Sequence, residues 1–182
     1  MNVVVIEPPQ PVVTLEEAKR HLREYDDDQD EYIYGLIDAA QANLEGPGGW
    51  LGRCISMQTL EATFDSFDCL RLPYPPVVNV ESITYYNGND VSTVLPVESY
   101  GVYGNRVSPR YGKMWPATYW RDDAVTVRYT AGYEVVPPQI RQAILLLVGH
   151  WYAYREPVST ASINGIPFTV DALLSPLREG QI

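Results

Sequence analysis

Residues 139–156 read QIRQAILLLVGHWYAYRE, and this stretch decides the fold. Ile140, Ala143, Ile144, Leu147, Val148 and Trp151 recur at helical spacing, while Leu145 and Leu146 add a second apolar face. A helix that is apolar nearly all round belongs in the centre of its structure. Yet it lies near the C-terminus, behind a long strand-rich segment. The helices able to pack on it lie at the other end of the chain, so the β-rich middle reads as an insertion in one helical core.

Working outward, Thr14-Leu15-Glu16-Glu17 has the form of a capping box, with Thr14 accepting from the Glu17 amide and the Glu17 carboxylate reaching back. A first helix follows to about Tyr25, presenting Leu15, Ala18 and Leu22. The run Asp26-Asp27-Asp28-Gln29-Asp30 offers carboxylates to cap a second helix, whose inward residues are Ile33, Leu36, Ile37, Ala40 and Leu44. Gly46-Pro47-Gly48-Gly49 ends it. Ahead of all this, Pro8, Pro9 and Pro11 make residues 1–13 an extended arm.

From Ile55 the period changes to two. Leu60, Ala62 and Phe64 alternate with Thr59, Glu61 and Thr63, and Val125, Val127 and Tyr129 with Thr126, Arg128 and Thr130. Leu70-Arg71-Leu72, Val80–Tyr86, Val91–Leu95 and Tyr100–Val107 read as further strands, with Asn87-Gly88 as a hairpin turn. Short strands between turns predict a small antiparallel barrel or sandwich. The fold class expected is therefore α+β. A helical bundle over 14–50 and 137–182 carries an inserted β domain over 55–133.

The charge narrows the function. With 13 Lys and Arg against 23 Asp and Glu, the net charge is −10, which argues against gripping a nucleic-acid backbone. An acidic wall instead repels phosphate and lets a duplex pass close by without sticking. Cys54 and Cys69 are too few for a disulfide framework and read as two buried thiols. The N-terminus lacks a basic leader region, and the run Ala143–Val148 is far short of the ~20 residues of a membrane span. The expectation is a soluble chain made in the cytoplasm, with no membrane partner.

Chemistry is sparse. Asp26-x-Asp28-x-Asp30 imitates a calcium loop, but Glu31 stands where the turn needs Gly and Ile37 where a bidentate Glu is needed. The Gly-rich turn lacks the Gly-Lys-Ser/Thr ending of a phosphate loop, and no Gly-x-Ser-x-Gly elbow occurs. His21 and His150 could meet if the first and last long helices pack, but no ligand spacing supports a metal. The expectation is no catalytic, cofactor or metal site. What stands out is 14 Tyr against 3 Phe, with Tyr74, Tyr85, Tyr86, Tyr100, Tyr103, Tyr111 and Tyr119 near Trp115 and Trp120. Aromatics of this kind either anchor protein contacts or line a sheet.

Taken in order, the chain resembles the tailed-phage head–tail connector (head-completion adaptor) family. The residues that carry the likeness are Val13–Lys19 with His21-Leu22, Leu36-Ile37-x-Ala39-Ala40, and Gln58-Thr59-Leu60. They continue with Leu72–Val77, Val80-x-Ser82-Ile83-x-Tyr85, Val127–Tyr133 and Val136-Pro137. Gln142–Leu146, His150-Trp151-Tyr152-x-x-Arg155-Glu156 and Leu173–Arg178 complete them. The Gly-Pro-Gly-Gly turn departs from the family's direct run into the first strand. The resemblance implies a ring of twelve copies under the portal protein, in the neck of a virion or phage-like particle. A stopper or tail-completion protein would sit on the other face, and double-stranded DNA would pass through the middle.

Two contact surfaces are expected on that reading. Tyr85, Tyr86, Tyr103 and Trp115 would supply a lateral or axial contact of the ring. The segment 167–182, with Phe168, Leu173, Leu174 and Leu177, would order on docking to the portal. The alternative is a small β domain binding sugar or peptide, carried on helices.

Overall fold

The structure is a computed structural model and describes residues 1–154 and 168–178. The chain divides into two compact units, Met1–Gln10 with Ser56–Glu134, and Pro11–Ile55 with the described residues from Val135 on.

In the helical unit, α1 (Leu15–Leu22), α2 (Asp30–Leu44), α3 (Pro138–Ala153) and α4 (Phe168–Leu174) share one core. The capping box forms: Thr14 Oγ1 accepts from the Glu17 N–H at 3.2 Å, and Glu17 Oε2 accepts from the Thr14 N–H at 3.0 Å. Arg23 in the left-handed region (φ 62°) ends α1 one turn earlier than its spacing predicts. The acidic run does not cap α2 through a side chain. Asp27 and Asp30 instead pair with Lys19 of α1 at 2.7 and 2.6 Å, although Asp30 and Glu31 still place negative charge at the positive end of α2.

The late helix packs on both early ones. Ile140, Ala143, Ile144, Leu147 and Val148 are buried with Ala18, Ile33, Ile37, Ala40 and Leu44. Leu145 and Leu146 remain half-buried, so the second apolar face is only partly covered. Gly149 lets α1 come close: a Cβ there would stand 3.2 Å from His21 Nε2. Arg141 completes the joint, donating to both Glu17 carboxylate oxygens at 2.8 and 2.9 Å.

Glu17 is thus held ionised. The Thr14 amide is the largest influence and keeps its carboxyl below the ordinary value; burial opposes it, and the Arg141 charge adds to the lowering. A depressed folded-state pKa stabilises the fold above the ordinary carboxylate range, and that contribution is lost as pH falls through the folded value. Melting temperatures of wild type and Glu17→Gln should therefore differ at neutral pH and converge on acidification. The gap should be small, because the pair is partly exposed and screened.

In the β unit, five strands form one antiparallel sheet in the order β1-β2-β7-β3-β4. They are β1 (Asn2–Glu7), β2 (Gln58–Phe64), β3 (Val77–Tyr86), β4 (Ser92–Val94) and β7 (Val125–Ala131). A separate hairpin joins β5 (Tyr100–Tyr103) to β6 (Arg106–Pro109) around Gly104. The sheet is open, with β1 and β4 at its edges, and the barrel expected from the turn spacing does not form among the described residues. Residues 2–7 of the expected arm are a sheet strand paired with β2 from Asn2↔Thr63 to Glu7↔Thr59. Leu70-Arg71-Leu72 reduces to a single bridge, Arg71↔Arg106.

Alternation holds in the central strands: Leu60, Ala62, Val125, Val127, Tyr129 and Ala131 are buried, while Glu61, Thr63, Thr126, Arg128 and Thr130 are not. Tyr129 is fully buried and its hydroxyl donates to the Pro73 carbonyl at 2.8 Å. Gly132 (φ 128°) is required, since a Cβ there would lie 2.3 Å from the Ser56 carbonyl oxygen.

Candidate assembly surface

The aromatic residues expected at an interface fall into two groups. Phe67 is buried, Trp115 stacks on it (centroids 4.8 Å apart, 14° between planes), and Tyr85 meets its edge at 5.5 Å. This cluster lies within the β unit, and Tyr85 and Trp115 are half-buried members of it. Tyr86 is covered by the Arg121 guanidinium, 3.9 Å from the ring centroid, and Arg121 is fixed by Asp90 and Asp123. Of the four residues, Tyr103 alone is exposed.

The segment between β6 and β7 carries further accessible aromatics. Trp120 is 98% exposed, and Tyr111, Met114 and Tyr119 are exposed with it. Sequence reasoning grouped them with the other tyrosines. No signal in the sequence separates them, since Trp115 lies in the same segment and yet stacks on Phe67.

The C-terminal residues separate in the same way. Leu174 is fully buried beside Val170, and Leu173 and Leu177 are half-buried, so these leucines belong largely to the helical core. Phe168, 84% exposed, is the one that faces outward. Arg178 lies over the Trp50 ring at 4.6 Å and fastens the end of the described chain. Residues 155–167, with Arg155, Glu156 and Pro167, lie outside the described residues. So do 179–182.

Chemistry of other kinds finds little support. Among the described residues no group of three His, Cys, Asp or Glu side chains could hold a metal ion, and no helix is long and apolar enough to cross a membrane. His21 is exposed; His150 is half-buried against Tyr154, with ring centroids 5.1 Å apart. Cys54 is buried, and burial followed by the Glu45 charge pushes its thiol well up; Cys69, contrary to expectation, is exposed. A cavity of about 400 Å³ in the β unit is lined by Glu7, Pro8, Gln10, Met57, Gln58, Thr59 and Thr130. Its carboxylate is satisfied, since Thr59 Oγ1 donates to Glu7 at 3.0 Å, and Thr130 Oγ1 likewise occupies nearby Glu81 at 2.8 Å.

Sequence reasoning missed one internal site. Glu45, at the end of α2, is buried and accepts from Gln41 Nε2 and from the Ile55 N–H, both at 2.7 Å. Gln41 Oε1 in turn accepts from the Val12 N–H at 2.8 Å. The Gly46 amide closes the turn on the Arg53 carbonyl at 2.8 Å. The Gly-rich turn is thus clamped by a carboxylate, and Gly49 packs so tightly that a Cβ would stand 2.3 Å from the Glu45 carbonyl oxygen.

An α+β chain with exposed aromatic anchors and uncovered sheet edges has the surface of an assembly protein. Residues 11–172 match the head completion protein family, and the chain belongs to that family. Among curated proteins, none matches. Among solved structures, the fold is similar to a chain in the neck of an empty GTA particle computed with C6 symmetry, at 20% identity and a TM-score of 0.79. It is similar to a chain in the virion of a native gene transfer agent particle at 21% and 0.77, and to one in the neck of the native particle computed with C12 symmetry at 20% and 0.72. Each likeness covers 100% of this chain and 97% of the other.

Proposed function

We propose that this chain is a structural subunit of the head–tail connector of a tailed phage or phage-like particle, with no catalytic step of its own. Twelve copies form a ring in the virion neck, beneath the portal protein. The ring joins capsid to tail, receives a stopper or tail-completion protein on its far face and lines the DNA channel. The observation that carries this reading is the family match over 11–172, which spans both units. The full-length likeness in fold to chains of GTA necks supports it. The net charge of −10 suits a channel through which phosphate must slide unheld.

Deleting the gene in a producing cell should leave heads without tails, seen by electron microscopy, and should abolish infectious or gene-transferring particles. Normal numbers of tailed, active particles would overturn the reading. A copy of the chain carrying an epitope should label the neck.

The portal contact is assigned to the end of the described chain. Phe168 offers a large apolar side chain, exposed among the described residues, on a helix anchored by Val170 and Leu174. Phe168→Ser should weaken binding to purified portal by about tenfold or more, as for an aromatic anchor, and leave the melting temperature unchanged. An unaltered affinity would remove Phe168 from the contact.

A further inference from the structure

Among the described residues the sheet ends in two edges, β1 and β4, with which no further strand pairs. Strand β1 is an edge along its whole length, and its sequence from Met1 to Ile6 carries no charged side chain. Val4 is 50% exposed, and Met1, Val5 and Ile6 are exposed as well. Natural edges are blunted by Lys, Pro or bulges. Here a single irregularity between Val5 and Glu7 leaves Asn2–Val5 in regular register. At the far edge, β4 pairs only with β3, through Thr84↔Val94, Tyr85↔Thr93 and Tyr86↔Ser92. The segment Val91–Val97, VSTVLPV, is also free of charge, with Val94 63% exposed and Val91 and Val97 exposed.

These two strips carry no charged side chain in a chain of net charge −10, where copies otherwise repel one another. A contact between copies is cheapest where charge is absent, and this chain holds such strips on opposite edges of one sheet. Direction agrees. The sheet has five strands, each antiparallel to its neighbour, so β1 and β4 run the same way. A second copy related by rotation brings its β1 alongside β4 in parallel, with backbone groups paired by strand addition. Such a contact uses two different patches, so it is head-to-tail, and it gives a ring when the rotation between copies closes.

We propose that β1 of one copy pairs with β4 of the next, and that this junction is a lateral contact of the assembly. The inference rests on the ring reading above, and its test is independent of the particle experiment. Val4→Lys blocks one edge and Val94→Lys the other, both at exposed positions. By mass photometry, wild type should form oligomers and each variant alone should stay monomeric. An equimolar mixture should give dimers and nothing larger, because the intact β4 of Val4→Lys can accept the intact β1 of Val94→Lys. That dimer also shows that both variants are folded. Ile6→Lys and Val91→Lys replace them should either fail to show a cooperative melt.

Dimers of Val94→Lys alone would show β1 pairing with itself and overturn the head-to-tail junction. So would variants that assemble like wild type, a mixture that stays monomeric, or a wild type that does not associate. In each case a neck location found in the particle would leave the ring reading standing.

Discussion

Ile144→Ala should lower the unfolding free energy by about 3 to 4 kcal/mol, a large part of the stability of an ordinary domain. Ile144 sits in the middle of α3 with no exposed surface, among the buried residues of α1, α2 and α4. Removing its outer carbons loses their transfer free energy and leaves a cavity, because three helices contacting one another cannot all close on the gap. Urea unfolding should show a lower midpoint with an unchanged slope, the sign of lost stability without a changed denatured state. Leu145→Ala, one position along on the half-buried face, should cost clearly less. Equal losses at the two positions would mean that α3 is not buried on one side as described.

Glu45→Ala should cost a comparable amount, about 3 to 5 kcal/mol, through orphaned hydrogen-bond donors. Its carboxylate receives Gln41 Nε2 and the Ile55 amide, both out of water. Truncation leaves both donors without that acceptor and loosens Gln41, which holds the Val12 amide. Glu45→Gln retains one acceptor oxygen and should lose about half as much, on the same per-donor scale. Amide exchange separates this from general weakening: Ile55 should lose protection before the centre of α3 does. A substitution to Ala that leaves the urea midpoint unmoved would show that the clamp contributes nothing.

Much of this was legible because local chemistry and the core agreed. The Thr14–Glu17 box is four residues long and closes by itself, so its sequence pattern suffices. The switch from helical to twofold spacing after Ile55 is legible for the same reason, since burial on one face of a strand imposes the spacing. The candidate surface was less legible. Tyr85, Trp115 and Trp120 are aromatic residues of similar appearance in the sequence, yet Tyr85 and Trp115 are taken up by Phe67 while Trp120 faces solvent. Only the placement of Phe67 separates them. Leu174 and Phe168 differ for a similar reason, six residues apart on one short helix.

The acidic run shows the same division. Composition indicated helix capping, but Lys19 lies within reach of Asp27 and Asp30, and the direct ion pairs form instead. Glu45 could not be singled out among 23 acidic residues, because its role depends on amides ten residues ahead and more than thirty behind it.

By itself the sequence determined the capped first helix, the apolar late helix and the change to twofold spacing between them. Those follow from spacing and from side-chain chemistry within a few residues. Tertiary structure decided that the sheet stays open, that residues 2–7 are its edge, and which aromatics are spent inside and which are left for partners. Strand order and burial are set by contacts between residues far apart in the chain, and such contacts leave no periodic mark on either partner.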